Sequence, residues 1–520
     1  MDFMRVKIDC KRPEWVSAIA ALACGTVTHS FALFNVIHNY DDILQQPVGY
    51  GSGITLGRWM LTLLGDFNTE FLGLGYNLPM VNGLTFILFI ALSAALLVNT
   101  LKIRNRRSAA LIGCLMSTFP TVCAAMAFRY VAPYFGISLF LSVAAAWIAN
   151  RSKFGLLLSA ICISLSMGIY QAYVPVTIGI FLLMLMQSSL EEKADFWGLM
   201  RKGVFYCSCL VLGTALYFLG LKICLAANPQ VTLDTYKGVN NMGHIALSRI
   251  PSLIKKTWTY AVFFPLKNHY SLAPTRILQV VWMVVISGIG CLSVYVLFTR
   301  RIKLLPGVFF CLMALLFPIG VNFIEIMCPD SLVYTLMVYA MVLFACAPLL
   351  LMEYVPEERG KRKRMISSAL GVALSVIVLY NGYYTNVNYT VLYYSNRQVE
   401  NFAAGLVNRM QETEGYTPDK KWVFTGIVQD SRLYNIWQEA PLYGGVIGCS
   451  AKGLLRASYS FMVWFPAYVG VETPVATEQE KKAIEADPRF QKMPYWPSEG
   501  SVQVIDDYIV IKFPETESLW

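Results

Sequence analysis

His38-Asn39-Tyr40-Asp41-Asp42 sets two adjacent carboxylates directly after the first apolar run of the chain. Adjacent acids on an exposed loop are usually just solvated. At the lip of a membrane cavity the same pair suits a general base, which takes the proton of a hydroxyl while the rest of the substrate stays in lipid. A third use is as ligands of a divalent cation, Mg or Mn, held by Asp41 and Asp42. Gly49-Tyr50-Gly51-Ser52-Gly53 and Gly57-Arg58-Trp59 follow. No strand precedes these glycines, so a dinucleotide fold is unsupported. They read either as a flexible loop entering an interfacial helix anchored by Trp59, or as the mount of Arg58, whose guanidinium forks onto the oxygens of a lipid-linked phosphate.

Further polar groups lie near the same predicted face. Asp66 and Glu70 share the first outer segment, Arg129-Tyr130 ends the third apolar run, and Tyr170-Gln171 ends the fifth. Polar side chains at membrane depth are costly unless used, although a lone arginine there also snorkels to the interface. A later segment mixes Lys255, Lys256, Lys267, His269 and Arg276 with Trp258, Tyr260, Phe263, Phe264 and Tyr270. That mixture fits a helix and loop touching a phosphate headgroup, and equally an amphipathic helix lying on anionic lipid. Glu325 and Asp330 read as ordinary loop polarity. Most of the thirteen cysteines sit inside apolar runs as small hydrophobes. Cys207 and Cys209 have no second pair at metal spacing, so neither a disulfide framework nor a zinc site is expected.

To meet, these groups need a scaffold, and the composition names its solvent. The chain is 56% apolar and 14% charged, against ~25% charged in soluble domains. The net charge of +10 does not point to nucleic acid, because the Lys and Arg fall in short clusters between apolar runs. Runs of spanning length recur at roughly 14–37, 79–101, 108–127, 131–149, 154–170, 173–188, 203–223, 277–298, 304–323, 331–352 and 365–385, about eleven helices. The first is followed by more spans rather than a cleavage site, so it reads as a retained helix. Basic clusters from Arg5 to Arg12, Lys102 to Arg107, Arg151 to Lys153, Lys193 to Lys202, Arg300 to Lys303 and Arg359 to Arg364 then share one side, which predicts a cytoplasmic N-terminus. Two short spans meet at Tyr170-Gln171, where a re-entrant hairpin would keep the same parity. An odd number of spans sends the segments 38–78, 224–276 and 386–520 to the opposite face. In the tail, 422–428 and 502–513 alternate like strands around a turn at Asp506-Asp507, while 395–412 and 476–486 read as helices. The expected architecture is mainly α: a polytopic membrane domain over 1–385 with outer loops 38–78 and 224–276, and a small α/β extracytoplasmic domain over 386–520.

Several motifs then carry a resemblance over nearly the whole chain. They are Asn39-Tyr40-Asp41-Asp42 after the first span, Gly57-Arg58-Trp59, Tyr170-Gln171, and a tail from Met493-Pro494-Tyr495-Trp496-Pro497 through Gly500-Ser501 to Asp506-Asp507. This set resembles the GT-C class of polyprenyl-phosphate-sugar-dependent glycosyltransferases, and within it the bacterial and phage serotype-converting glucosyltransferase II family. The resemblance implies transfer of a hexose, most often glucose, from undecaprenyl phosphate to a hydroxyl of an envelope glycan such as O-antigen or a wall polymer. The site would be the outer face of the bacterial cytoplasmic (inner) membrane. Asp41 or Asp42 would act as base, with inversion through an oxocarbenium-like transition state. Arg58, Arg129, Lys255, Lys256, Lys267 and Arg276 would meet the departing phosphate. Tyr40, Trp59, Glu70, Tyr130, Tyr170, Gln171 and His269 would touch substrate. Some members of the class use a divalent cation and others do not. The implied partners are the lipid bilayer, the polyprenyl-phosphate-linked sugar, the polysaccharide acceptor, a polyprenyl-phosphate glucosyltransferase and a small flippase.

A lipid-linked-sugar flippase or transporter is the main rival, but ionisable residues are scarce in the middle of the predicted spans, where coupled transport needs them. An envelope-glycan polymerase or ligase working on a polyprenyl-pyrophosphate glycan is a second rival, and a non-catalytic scaffold a third.

Overall fold

The computed structural model describes residues 11–39, 41–234, 246–357, 360–426, 443, 463–472 and 474–514. Helix ends are set largely by proline and by polar caps. Pro13 and Pro79 open α1 (Pro13–Phe34) and, after α2 (Trp59–Asp66), α3 (Pro79–Thr100), where a missing N–H costs nothing. Asn105 caps α4 (Arg106–Thr118), which continues through Pro120 as α5 (Pro120–Ala127). Next come α6 (Ala132–Ala149), α7 (Gly155–Ile169) and α8 (Val174–Ser189). Asp195 caps α9 (Phe196–Ala227) by accepting from the N–H groups of Trp197 and Gly198. After α10 (Ile250–Lys267), Thr275 caps α11 (Arg276–Thr299), and α12 (Leu304–Val321), α13 (Ile324–Met327), α14 (Leu343–Met352) and α15 (Gly360–Gln411) complete the helices considered below.

The protein is mainly helical. Among the described residues, nine helices are long and apolar enough to cross a membrane. Two of the eleven runs read from sequence are shorter as helices, Gly155–Ile169 and Tyr339–Met352. The fifteen residues of α7 extend about 22 Å, short of a ~30 Å hydrocarbon core. The backbone of Tyr170 turns extended there and stops the helix. The run 365–385 and the helix read at 395–412 are one continuous helix of 52 residues.

The chain divides into two compact units. The described residues of Met1–Val36, Pro47–Asn386 and Pro441–Gly445 form one; those of Ile37–Gln46, Val387–Ala440 and Val446–Trp520 form the other. In the larger unit α1 packs on α3 and α4, α3 on α6, α6 on α7, α7 on α9, and α8 on α12. Hydroxyls join α6 to α7: Ser138 and Ser142 lie 2.9 and 2.8 Å from Ser166 Oγ, the short-range polar contact that small residues allow between apolar helices.

The smaller unit holds a three-stranded sheet of β1 (Lys421–Thr425), β2 (Val502–Ile505) and β3 (Tyr508–Lys512) in the order β1-β3-β2. β1 runs parallel and β2 antiparallel to β3, and Asp506 turns the hairpin with a left-handed φ of 53°. Alternation gives the sheet two apolar faces. Trp422, Phe424, Ile509 and Ile511 pack with Val399, Ala403, Leu406 and Met410 of α15 and with Ile43. Val423, Ile505 and Val510 pack with Ile484, Phe490 and Met493 on the other side.

Candidate active site

The acid segment belongs to the smaller unit. Ile43 is fully buried in its core beside α15, which fixes one end of Asp41-Asp42. The other end is fixed at His38, whose N–H donates to Asn396 Oδ1 at 2.6 Å while Asn396 Nδ2 donates back to the His38 carbonyl at 2.9 Å. Between them, Asn39 Oδ1 accepts from the N–H groups of Asp41 and Asp42 at 2.9 and 2.7 Å, an Asx turn built from its own side chain. The two carboxylates differ. Asp42 is fully buried, with Oδ2 2.6 Å from His38 Nδ1, and the imidazole is itself 2% exposed. Asp41 is half-buried. Sequence reading left His38 without a role, although its spacing of four from Asp42 was visible; Asn396 gave no such signal. Tyr40 lies outside the described residues. Among the described residues no three His, Cys, Asp or Glu side chains gather as a group that could hold a metal ion.

Arg58 belongs to the larger unit. Its guanidinium carbon lies 4.9 Å from the centre of the Tyr170 ring, a cation–π contact, and its Nε is buried without a hydrogen-bond partner among the described residues. Gln171 Nε2 donates to the Leu56 carbonyl at 2.9 Å and to Tyr217 Oη at 3.1 Å, and Tyr217 donates to the Gly57 carbonyl at 3.1 Å. The backbone entering Arg58 is therefore held by two buried polar side chains of α9 and the α7–α8 corner. The Trp59 indole lies in a slot between Gly168 and Gly220, where added Cβ atoms would come within 2.8 and 2.7 Å of it. Gly51 has φ +78°, and a Cβ there would lie 2.7 Å from Tyr130 Cε2. Arg129 is 3% exposed and donates from Nε to Asn77 Oδ1 at 2.8 Å, so it is an interior group rather than one snorkelling to the interface. Tyr50 donates to Asp66 Oδ1 at 2.7 Å; burial and that carboxylate push its hydroxyl pKa up. Glu70 is exposed.

The cations of the second long loop differ in setting. Lys256 is paired with Glu325 at 2.8 Å, and Glu325 is 2% exposed. Tyr270 donates to Glu325 Oε1 at 2.8 Å and accepts from Asn322 Nδ2 at 2.9 Å. Glu325 is thus a buried carboxylate with one oxygen hydrogen-bonded to Tyr270 and the other in ion-pair contact with Lys256, not ordinary loop polarity. His269 stacks on Tyr260 with ring centres 3.9 Å apart; burial first, then Lys267, lower its pKa. Asn268, Tyr270 and Ser271 all take left-handed φ values, of 45, 64 and 56°. Lys255, Lys267 and Arg276 are exposed.

Residues 30–345 match the family described as glucosyl transferase GtrII. The chain belongs to this family. The match covers well over half of the sequence and takes in Asp41, Asp42, Arg58 and the Lys256–Glu325 pair. A GtrII protein is a glycosyltransferase, which works with a sugar donor and an acceptor, and the long apolar helices seat this one in a membrane. Neither curated proteins nor solved structures give a significant match.

Proposed function

We propose that this GtrII protein transfers a glucosyl group from a polyprenyl phosphate to a hydroxyl of an envelope glycan, with inversion. The reaction takes place on the outer face of the bacterial cytoplasmic membrane, and the basic loops stay on the cytoplasmic side. The observation that carries this reading is the unequal pair Asp41 and Asp42. A base must come within hydrogen-bond reach of the proton it takes. Asp42 is buried against His38, whereas Asp41 is half-buried, which favours Asp41 as the base and Asp42 as its support.

In the step itself, the acceptor O–H proton passes to a carboxylate oxygen of Asp41 as the acceptor oxygen bonds to the anomeric carbon. The bond from that carbon to the phosphate oxygen breaks on the far side, and the electron pair leaves with the polyprenyl phosphate. On the larger unit, Arg58 is suited to a phosphate: its buried Nε lacks a partner among the described residues, and a donor waiting for charge costs no reorganisation when the charge arrives. Lys256 is occupied by Glu325 and shapes the loop, while Lys255, Lys267 and Arg276 add a positive field that draws the phosphate in. Residues 386–520 help to hold the acceptor.

Membranes containing the protein should move label from polyprenyl-phosphate glucose to an isolated envelope glycan. Asp41→Asn should lower the turnover by roughly 10²–10⁴-fold at unchanged expression, the range for a lost general base. Full turnover by Asp41→Asn would overturn the base assignment, and passage of lipid-linked sugar across liposomes without glycan product would overturn the transferase reading of donor and acceptor.

A further inference from the structure

We propose that Asn396 is a positioning residue for glycosyl transfer, acting on Asp41 through the backbone of His38; this rests on Asp41 being the base. A single buried amide satisfies both backbone groups of His38, at 2.6 and 2.9 Å, the two bonds that a neighbouring strand would otherwise supply. Asn396 is 2% exposed and His38 2%, so neither backbone group has water to fall back on. From this clamp the order passes along the segment. The His38 ring meets Trp464 and Tyr468 edge-on, with centres 6.0 and 5.7 Å away, and holds Asp42 through Nδ1. Asn39 then ties down the N–H groups of Asp41 and Asp42, and Ile43 closes the far end in the apolar core. Asp41 is therefore bracketed by Asn396 on one side and by the sheet core on the other.

All of the outer anchors, Asn396, Val399 and Trp464, lie beyond residue 345 and outside the segment that matches the family. The carboxylate is in the shared segment and its clamp is in the tail. The tail is then part of the catalytic apparatus and not only a holder of acceptor. Displacing a reacting group by about 1 Å costs on the order of 10²-fold in rate, so loss of the clamp should appear in kcat.

The test uses the full chain in nanodiscs, with kcat, KM for polyprenyl-phosphate glucose and Tm measured for Asn396→Ala, Asn396→Asp, Ile484→Ala and Asp41→Asn. Ile484 is buried on the other face of the sheet, with Val423 and Val510, away from the core that holds Ile43. Asn396→Ala is expected to lower kcat about 10–100-fold with KM within about twofold. Asn396→Asp keeps the acceptor for the His38 N–H and should recover part of that loss. Ile484→Ala should lower Tm with kcat close to that of the unaltered protein. Unchanged kcat in Asn396→Ala beside an inactive Asp41→Asn overturns the clamp and leaves the base in place. Equal kcat losses in Asn396→Ala and Ile484→Ala at equal Tm also overturn it, because stability alone would then explain both. Full activity of Asp41→Asn removes the base itself, whatever Asn396 does.

Discussion

Two loops adjoin in the chain and are held differently. The acid segment Ile37–Gln46 is fixed by directional bonds on its own backbone and carboxylate, from Asn396, Asn39 and His38, and by Ile43 in an apolar core. The glycine-rich stretch that follows has hydrogen bonds from Gln171 and Tyr217 to the Leu56 and Gly57 carbonyls, but its functional side chain is seated by shape: Gly51 lies against the Tyr130 ring, Trp59 fills its glycine slot, and Arg58 rests on Tyr170. The difference suits the roles proposed for each. A proton acceptor works only within hydrogen-bond reach of its donor, so directional anchors suit Asp41 as the proposed base. A cation acts through a field that falls gradually with distance, so a softer mount suits Arg58, whose Nε has no partner among the described residues.

The sharpest way to break this contrast is at Arg58. Arg58→Ala should lower kcat about 10²-fold, the usual cost of one charge-stabilising donor. Arg58→Lys should recover little, because an ammonium cannot fork onto two phosphate oxygens. Steady-state transfer assays on both variants decide it; wild-type turnover by Arg58→Lys would mean that the site needs only a diffuse positive field.

Lys256 asks whether the cations of the second loop belong with Arg58. Its partner Glu325 is buried while Lys256 is about one-third exposed. Lys256→Met would strand the carboxylate on Tyr270 alone, with an expected loss of about 2 kcal/mol, below the 3–5 kcal/mol of a fully buried pair because Lys256 reaches solvent. Lys256→Met with Glu325→Gln should recover most of it. Thermal melts of the single and double variants measure this, and a large rise in donor KM at unchanged Tm would return Lys256 to the donor site.

These partners also show what one sequence can carry. Capping signals, the Asp506-Asp507 turn and apolar runs are local: the caps and the turn stand where their residues put them, and among the described residues nine of the eleven runs fall in helices long and apolar enough to cross a membrane. The unbroken helix from Gly360 to Gln411 was obscured because its middle loses hydropathy at Asn381, Asn386, Asn388 and Asn396 without any proline to end it. Within the candidate site, the carboxylates and Arg58 were legible as residue types. Their supports were not, since Asn396 meets His38 across 358 residues and Glu325 is a buried charge only because the chain brings Lys256 and Tyr270 to it.

A smaller effect is expected at Gly51, where the shape-held loop has least room. Gly51→Ala puts a side chain at φ +78° and 2.7 Å from Tyr130 Cε2, a strain of about 1–2 kcal/mol. Tm should fall by a few degrees and turnover by a few-fold. Gly51→Ala at wild-type Tm and turnover would mean that the loop is not shape-held at all.

The smallest effect lies on the sheet face away from Ile43. Glu480 accepts from Lys421 Nζ at 2.6 Å, from the Thr477 N–H at 2.7 Å and from Tyr508 at 3.1 Å. Lys421 first, then Thr477, hold its carboxyl pKa down at about 2, against an ordinary value of 4.5. Because the folded value is the lower one, the contribution is complete above the unfolded pKa and is lost as pH falls from about 4.5 toward about 2. The Tm difference between Glu480→Gln and the unaltered protein should therefore be constant from pH 7 to about 5 and shrink below that. Glu480 lies on the helix Glu478–Glu485, whose Ile484 packs on the sheet face of Val423 and Val510, opposite the core that anchors the acid segment, so kcat at neutral pH should not change. A fall in kcat would show that the base is positioned by the whole sheet rather than by the face that carries Ile43, and the contrast between the two loops would then extend to the entire smaller unit.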